Sequence, residues 1–291
     1  MTPIRFYHSL PKELLVADGA TGTMLQARGL QRGEPSEIWN LTRPEVIRAL
    51  HSAYLAVGCD LVTTNTFGAN RLRLKETGLE GQVEAINRMA VRLARESGSN
   101  GHLVGGSVGP TGYFRQEEKR GSVAEIRSAF EEQISHLIQA AVDLLVIETM
   151  THLEEAAIAL QATENCPPCP VAVSLVFFKT QTGLTTRDGA SPQEATRQLA
   201  AAQTVGCNCV DVQMVGEILQ QMRDATNLPL VAQPHAGLPV KQETQVVYPL
   251  TPEAMARHIP SLLKFKVGIL GGCCGTTPAH LEAVIHSLRH S

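Results

Sequence analysis

Aromatic side chains are scarce in this sequence. They make up 4% of 291 residues, and Trp39 is the single tryptophan. So few rings leave little material for an aromatic cage around a quaternary ammonium group. Basic residues form no block and the formal net charge is −3. Neither a nucleic-acid groove nor a polybasic membrane patch is therefore expected. No apolar run reaches the roughly 20 residues of a membrane-spanning helix, and Met1 to Lys12 holds no continuous apolar signal segment. The expectation is a soluble, cytoplasmic protein. Seven cysteines, an odd number on a chain this long, fit a secreted disulfide framework poorly. Reduced thiols, some of them metal-bound, are expected instead. A hydrophobic share of 43% excludes a disordered chain and suffices for one large core.

What is present is a rhythm of short apolar runs. There are eight: Leu14–Asp18, Cys59–Thr64, His102–Gly106, Leu144–Glu148, Pro170–Val176, Asn208–Met214, Pro229–Gln233 and Val267–Leu270. Several lack period-two alternation, as in Leu144-Leu145-Val146-Ile147. Strands of a parallel sheet, buried on both faces, read this way. The segments between them carry helix starts. Thr42-Arg43-Pro44-Glu45, Ser122-Val123-Ala124-Glu125 and Thr151-His152-Leu153-Glu154 fit the capping box, and Ser191-Pro192-Gln193-Glu194 adds proline at the first helical position. After Ser122, Ile126, Phe130, Ile134, Leu137, Ile138 and Ala141 fall on one helical face. Eight alternating units over this length predict an α/β protein, a (β/α)8 TIM barrel in one domain over residues 1–291. The rival doubly wound sheet wants G-x-G-x-x-G after its first strand, and Asp18-Gly19-Ala20-Thr21-Gly22-Thr23 lacks that spacing.

In such a barrel the chemistry collects where strands end. Those ends carry Asp18-Gly19, Thr64-Asn65-Thr66, Ser107, Glu148-Thr149, Asn208-Cys209, Gln233 to Gly237, and Gly271-Gly272-Cys273-Cys274-Gly275. Cys209, read as part of strand six, and Cys273-Cys274 after strand eight come together on closure. Three thiolates can then share one zinc ion and leave a fourth position open. Glycines beside adjacent ligands let the backbone bend sharply. An open site of this kind suits a thiol substrate, bound as thiolate and poised to attack an activated methyl group. Packing of buried thiols, or a vicinal disulfide, are alternatives for the same adjacent cysteines.

Gly271-Gly272-Cys273-Cys274-Gly275-Thr276-Thr277-Pro278 resembles the zinc signature of the homocysteine S-methyltransferase family. Asp18 to Thr23, Thr64 to Asn70, Gly106 to Pro110, Asp143 to Thr149 and Gly206-Cys207-Asn208-Cys209 resemble further segments of it, in the same order. The resemblance runs from about residue 14 to 285. It implies a (β/α)8 barrel with Zn2+ on Cys209, Cys273 and Cys274. It also implies that Asp18 and Glu148 hold the amino group of homocysteine. The backbone amides at Gly19 and Ala20 would then receive its carboxylate. Asn65 and Ser107 are expected at the same mouth, as substrate contacts or as loop hydrogen bonds. Asn208 would orient a ligand or bond to backbone.

Three positions depart from the family pattern. Cys207 stands where an aliphatic residue is usual; alternation would send it to the same face as Cys209, deeper in the barrel, most simply as core. His235 stands where the methionine-synthase-like module has asparagine, and is a possible residue on the donor side. Cys166-Pro167-Pro168-Cys169 precedes strand five, on the face away from the chemistry, and reads as a loop with incidental thiols. The resemblance implies methyl transfer to homocysteine, giving methionine. Two donors fit: S-methylmethionine or a similar sulfonium, which brings its own leaving group, or a separate corrinoid protein. The sequence carries no D-x-H-x-x-G corrinoid signature and ends where a full methionine synthase would continue. A zinc- or thiol-binding barrel without turnover is the non-enzymatic alternative. The expected partners are homocysteine and a small methyl donor, with no nucleic acid and no membrane.

Overall fold

The computed structural model describes residues 14–31, 33–98, 101–115, 122–242 and 245–289; Met1 to Lys12 lie outside them. Eight parallel strands among these residues form one sheet. They are β1 (Leu15–Val16), β2 (Leu61–Thr63), β3 (Leu103–Val108), β4 (Leu144–Met150), β5 (Val171–Leu175), β6 (Thr204–Asn208), β7 (Leu230–Gln233) and β8 (Val267–Leu270). Each pairs with its neighbours in chain order, and β8 returns to β1. A parallel bridge between Ala17 and Leu61 closes the ring. A helix follows every strand: α1 (Pro44–Ala56), α2 (Val83–Glu96), α3 (Val123–Gln139), α4 (Leu153–Ala162), α5 (Pro192–Gln198), α6 (Val212–Arg223), α7 (Pro252–His258) and α8 (Pro278–Arg289). The expected TIM barrel is the observed fold.

Period-two alternation sorts the strands into two chemistries. Outward residues such as Val62, Ile147, Val173, Val205 and Leu270 pack under the helices in one large core. Inward residues Ala17, Leu61, Val146, Ala172, Val231 and Ile269 fill the barrel with a separate apolar layer. Two residues further along the same strands the inward positions become Thr63, Glu148, Ser174, Gln233 and Gly271. The apolar plug thus ends one layer below the C-terminal mouth, and a polar layer begins there.

Four sequence expectations need correction. The sixth strand is Thr204–Asn208, not Asn208–Met214. Val210, Val212 and Met214 alternate like a strand, but Asp211 caps α6 by accepting from the Gln213 amide at 2.9 Å. Buried Val212, Val215, Ile218, Leu219 and Met222 then follow helical spacing. Thr42 is no capping residue; it ends a short helix, Trp39–Thr42, and Arg43 precedes α1 without a side-chain cap. Thr151 does not cap α4 either. Asp188, from the loop after β5, accepts from the Leu153 and Glu154 amides at 3.0 and 3.1 Å, a long-range cap that local sequence cannot announce. Ala141, expected on the buried face of α3, lies beyond its end with φ 67° and is exposed. The capping boxes at Ser122 and Ser191 are present.

One buried group makes the scaffold sensitive to acid. His51 of α1 is fully buried, and neither ring nitrogen has a hydrogen-bond partner among the described residues. Burial, then the nearby His102, pushes it from 6.5 down to about 4. The unfolded chain takes up this proton near 6.5 while the folded chain refuses it until about 4. Its contribution is therefore intact above 6.5 and is lost as pH falls toward 4. His51→Leu should raise the unfolding temperature at pH 5 more than at pH 8. Equal gains at both would show that the imidazole's charge is not the cause.

Candidate functional site

The three thiols singled out by sequence do meet. Cys209 follows β6, Cys273 and Cys274 follow β8, and their sulfurs all lie within 4.8 Å of one another. Cys209 Sγ and Cys274 Sγ are 3.7 Å apart. All three are free thiols in this structure.

The backbone aims them. Cys209 lies just beyond its strand, in the left-handed region at φ 54°. That turn, held by its amide on Gln233 O at 3.0 Å, breaks the alternation that would have paired it with Cys207. Cys207 instead faces outward, fully buried in the core beneath the helices. After β8, Cys273 N donates to Pro234 O and Ala236 N to Cys274 O, at 2.9 and 2.8 Å. Thr276 Oγ1 donates to Cys273 O at 2.7 Å and tightens the turn. A Cβ on Gly272 would lie 2.2 Å from Thr276 Oγ1, and one on Gly275 would lie 2.1 Å from the Tyr248 ring. Only glycine fits either place.

The cluster suits a thiophilic cation. Cys209 and Cys273 donate to Cys274 and hold its pKa down, to about 3. Cys273 is pushed well up by its two cysteine neighbours and by burial. Three sulfurs this close therefore share roughly one negative charge unless a cation neutralises them. Such a cation would be held by Cys209, Cys273 and Cys274. Asn208, fully buried, supports them from below: Nδ2 donates to Cys273 Sγ at 3.8 Å and to Thr149 Oγ1 at 2.7 Å. Its Oδ1 accepts from Thr149 N and Ser174 Oγ at 2.8 and 2.9 Å. Thr149 is thereby pinned at φ 59°, costly for a β-branched residue, about 1–3 kcal/mol. The strained turn directly follows Glu148 and accompanies a register shift in β4.

The thiols border a cavity of about 340 Å³ that also holds Asp18, Gly19, Ala20, Asn65, Ser107, Glu148, Gln233 and Tyr248. Asp18 Oδ2 accepts from Thr63 N at 2.9 Å and Oδ1 from Thr63 Oγ1 at 3.0 Å. Burial pushes Asp18 up to about 8; the Thr63 bonds oppose this, and the negative charge of Glu148 adds to it. Ser107 Oγ donates to Glu148 Oε1 at 2.5 Å. Burial raises Glu148 to about 7, against that bond and with a push from Cys274. Two carboxyl groups at this depth, each held by a fixed donor, call for a cationic ligand.

Other expected residues are committed to the scaffold. Asn65 Nδ2 donates to Ser36 O and Asn40 Oδ1, at 2.8 and 3.2 Å. Asn208 is not on the cavity wall. The Ala20 amide donates to Thr276 Oγ1 at 3.1 Å and Thr276 O at 3.3 Å. It is thus taken by a tertiary partner and not open to a substrate carboxylate. His235 is 7% exposed, lies outside the cavity lining, and its Nδ1 has no partner among the described residues. It stands close enough to Cys274 to favour the thiolate. Cys166 and Cys169 line a different cavity, of about 270 Å³, around Pro167 and Pro168. Sequence reading missed Thr63, Tyr54, whose hydroxyl donates to Ala20 O and Thr276 O at 2.9 and 3.1 Å, and Tyr248. None carries a local motif; each is placed by the fold alone.

A family model described as homocysteine S-methyltransferase matches residues 15–288. Methionine synthase of Mycobacterium tuberculosis is 30% identical over 296 residues, covering 94% of this chain and 24% of that protein. Methionine synthase of Mycobacterium leprae is 29% identical, with 95% and 24% covered. The chain thus spans about a quarter of the length of the curated relatives it matches. The homocysteine methyltransferase MmuM from Escherichia coli, in its metallated form, superposes with a TM-score of 0.82 at 26% identity, covering 99% of this chain and 100% of that one. Its oxidised form gives 0.81 at 26% identity, covering 98% and 99%.

Proposed function

This chain belongs to the homocysteine S-methyltransferase family, and from that premise we propose that it is a zinc-dependent enzyme methylating homocysteine to methionine, with residues 1–291 acting as one homocysteine-binding domain. One observation carries the reading: three thiols from two strand ends meet on the wall of a cavity that also buries two carboxyl groups. Cys209, Cys273 and Cys274 would hold the zinc ion. When bound, zinc keeps a thiol deprotonated near neutral pH and leaves one position for it.

The protein's own residues do the positioning. Asp18, fixed by Thr63, and Glu148, fixed by Ser107, receive the substrate ammonium. With Ala20 occupied, the carboxylate falls to the backbone at Gly19. Asn65 ties the β2 loop to the Ser36–Thr42 segment and shapes the wall. Asn208 keeps Cys273 and the Glu148-Thr149 turn in place. The favoured donor is S-methylmethionine or a similar sulfonium. The thiol proton leaves on binding, the sulfur forms a bond to the donor methyl, and the old S–CH3 bond breaks. Thiolate and sulfonium become two neutral thioethers, so no acid or base is needed at the transfer itself.

A second reading draws on the likeness to methionine synthases: the methyl group would come from a separate corrinoid protein. No helix among the described residues is long and apolar enough to cross a membrane. The zinc-loaded protein should form methionine from homocysteine with S-methylmethionine. Product with methylcobalamin alone would select the second reading. Bound metal without product from S-methylmethionine, S-adenosylmethionine or methylcobalamin would favour a thiol-binding barrel without turnover.

A further inference from the structure

Gln233 ends β7 and, by alternation, points inward one layer above Val231, which belongs to the apolar plug. It lines the cavity and is 4% exposed. Its Oε1 is buried, and no hydrogen-bond donor reaches it among the described residues. A buried carbonyl oxygen without a donor is rare and costly. Three neighbouring polar side chains differ from it. The side chains of Asn65, Ser107 and Asn208 all make hydrogen bonds within the protein.

The place of this carboxamide is also informative. A Cβ built on Gly271 would lie 3.2 Å from Gln233 Nε2 and 2.9 Å from Asp18 O. The absence of a side chain at Gly271 therefore lets the carboxamide lie alongside β1 and the Asp18 turn. Asp18 and Glu148 line the same cavity and offer two acceptors, and a primary ammonium group carries three N–H donors.

We propose that Gln233 is a third substrate-contacting residue, its side-chain carbonyl accepting the ammonium N–H that Asp18 and Glu148 leave over. The inference rests on the homocysteine reading above. A neutral acceptor suits the place, because a third carboxylate would add repulsion to two acids already pushed up by burial. Gln233 then selects thiols bearing a primary amine over thiols of the same length without one.

The test is calorimetric binding to the zinc-loaded protein, with homocysteine and with 4-sulfanylbutanoate, which keeps the thiol and carboxylate but lacks the amine. Gln233→Leu should weaken homocysteine about ten- to a hundredfold, the range of a hydrogen bond to a charged group. It should leave 4-sulfanylbutanoate affinity and metal content as in the parent protein. Equal homocysteine binding by the parent and Gln233→Leu would overturn the proposal, as would equal weakening of both ligands, which marks a packing role. If the parent protein binds metal but not homocysteine, the functional reading itself fails and this inference falls with it.

Discussion

Cys273→Ser should purify with almost no zinc and make no methionine with any donor. Serine keeps the shape but replaces a soft thiolate with a hydroxyl that stays protonated. The site has three sulfurs within 4.8 Å, so losing one removes a third of the protein's donor set. Removing only an outer hydrogen bond to a ligand costs about 10–100-fold in metal affinity; losing the ligand itself should exceed the upper end of that range. The informative control is Cys207→Ser. Cys207 is two residues from Cys209, yet it is buried on the outer face of β6. That variant should keep its metal and its activity while melting at a lower temperature, because a hydroxyl then sits among apolar side chains. Metal analysis and methionine formation on both variants decide the matter. Full metal content and turnover in Cys273→Ser would sink the assignment of the centre.

Glu148→Gln should be the next most damaging change, and its effect should fall on homocysteine binding rather than on metal content. The substitution is nearly isosteric, and the amide oxygen can still accept from Ser107. What disappears is the charge facing the substrate ammonium. Truncating one partner of a buried charge pair costs about 2–5 kcal/mol, or thirty- to several-thousandfold in affinity. The pH dependence has a definite sign. Burial holds Glu148 at about 7, so below that the carboxyl is largely neutral and grips an ammonium poorly. Homocysteine affinity should therefore rise with pH through 7 in the parent protein, and that rise should be flatter in Glu148→Gln. Binding curves between pH 6 and 8 check both. An unchanged dissociation constant at pH 8 would remove Glu148 from the substrate site. Ser107→Ala, which frees Glu148 from its donor at 2.5 Å, should reproduce a milder form of the same loss.

Much of the barrel was readable because parallel strands buried on both faces leave unbroken apolar runs, and seven of the eight sat close to where they were expected. The sixth failed for a definite reason. Val210, Val212 and Met214 satisfy period two over a stretch too short to exclude a helix, and the Asp211 cap was the overlooked signal. Cys207 is core, as expected, but on the outer face of β6 and not on the face of Cys209. Alternation holds only inside a strand, and Cys209 lies just past one, at positive φ. The helix caps show the limit of local patterns. Ser122 and Ser191 bond within their own turn, whereas α4 is capped by Asp188 from 35 residues away.

The amino-acid order alone determined the strand–helix rhythm, because each strand and helix is a contiguous run, while the three cysteines and the two acids were singled out by motifs that resemble those of the family. Tertiary structure alone decided which polar groups at the mouth remain open. The Ala20 amide is taken by Thr276, from 256 positions along the chain. The Asn65 side-chain amide is taken by Ser36, while the Gln233 oxygen is left without a donor among the described residues. Whether a buried donor or acceptor is satisfied depends on which distant segment the closing barrel brings beside it, and no spacing along the chain encodes that.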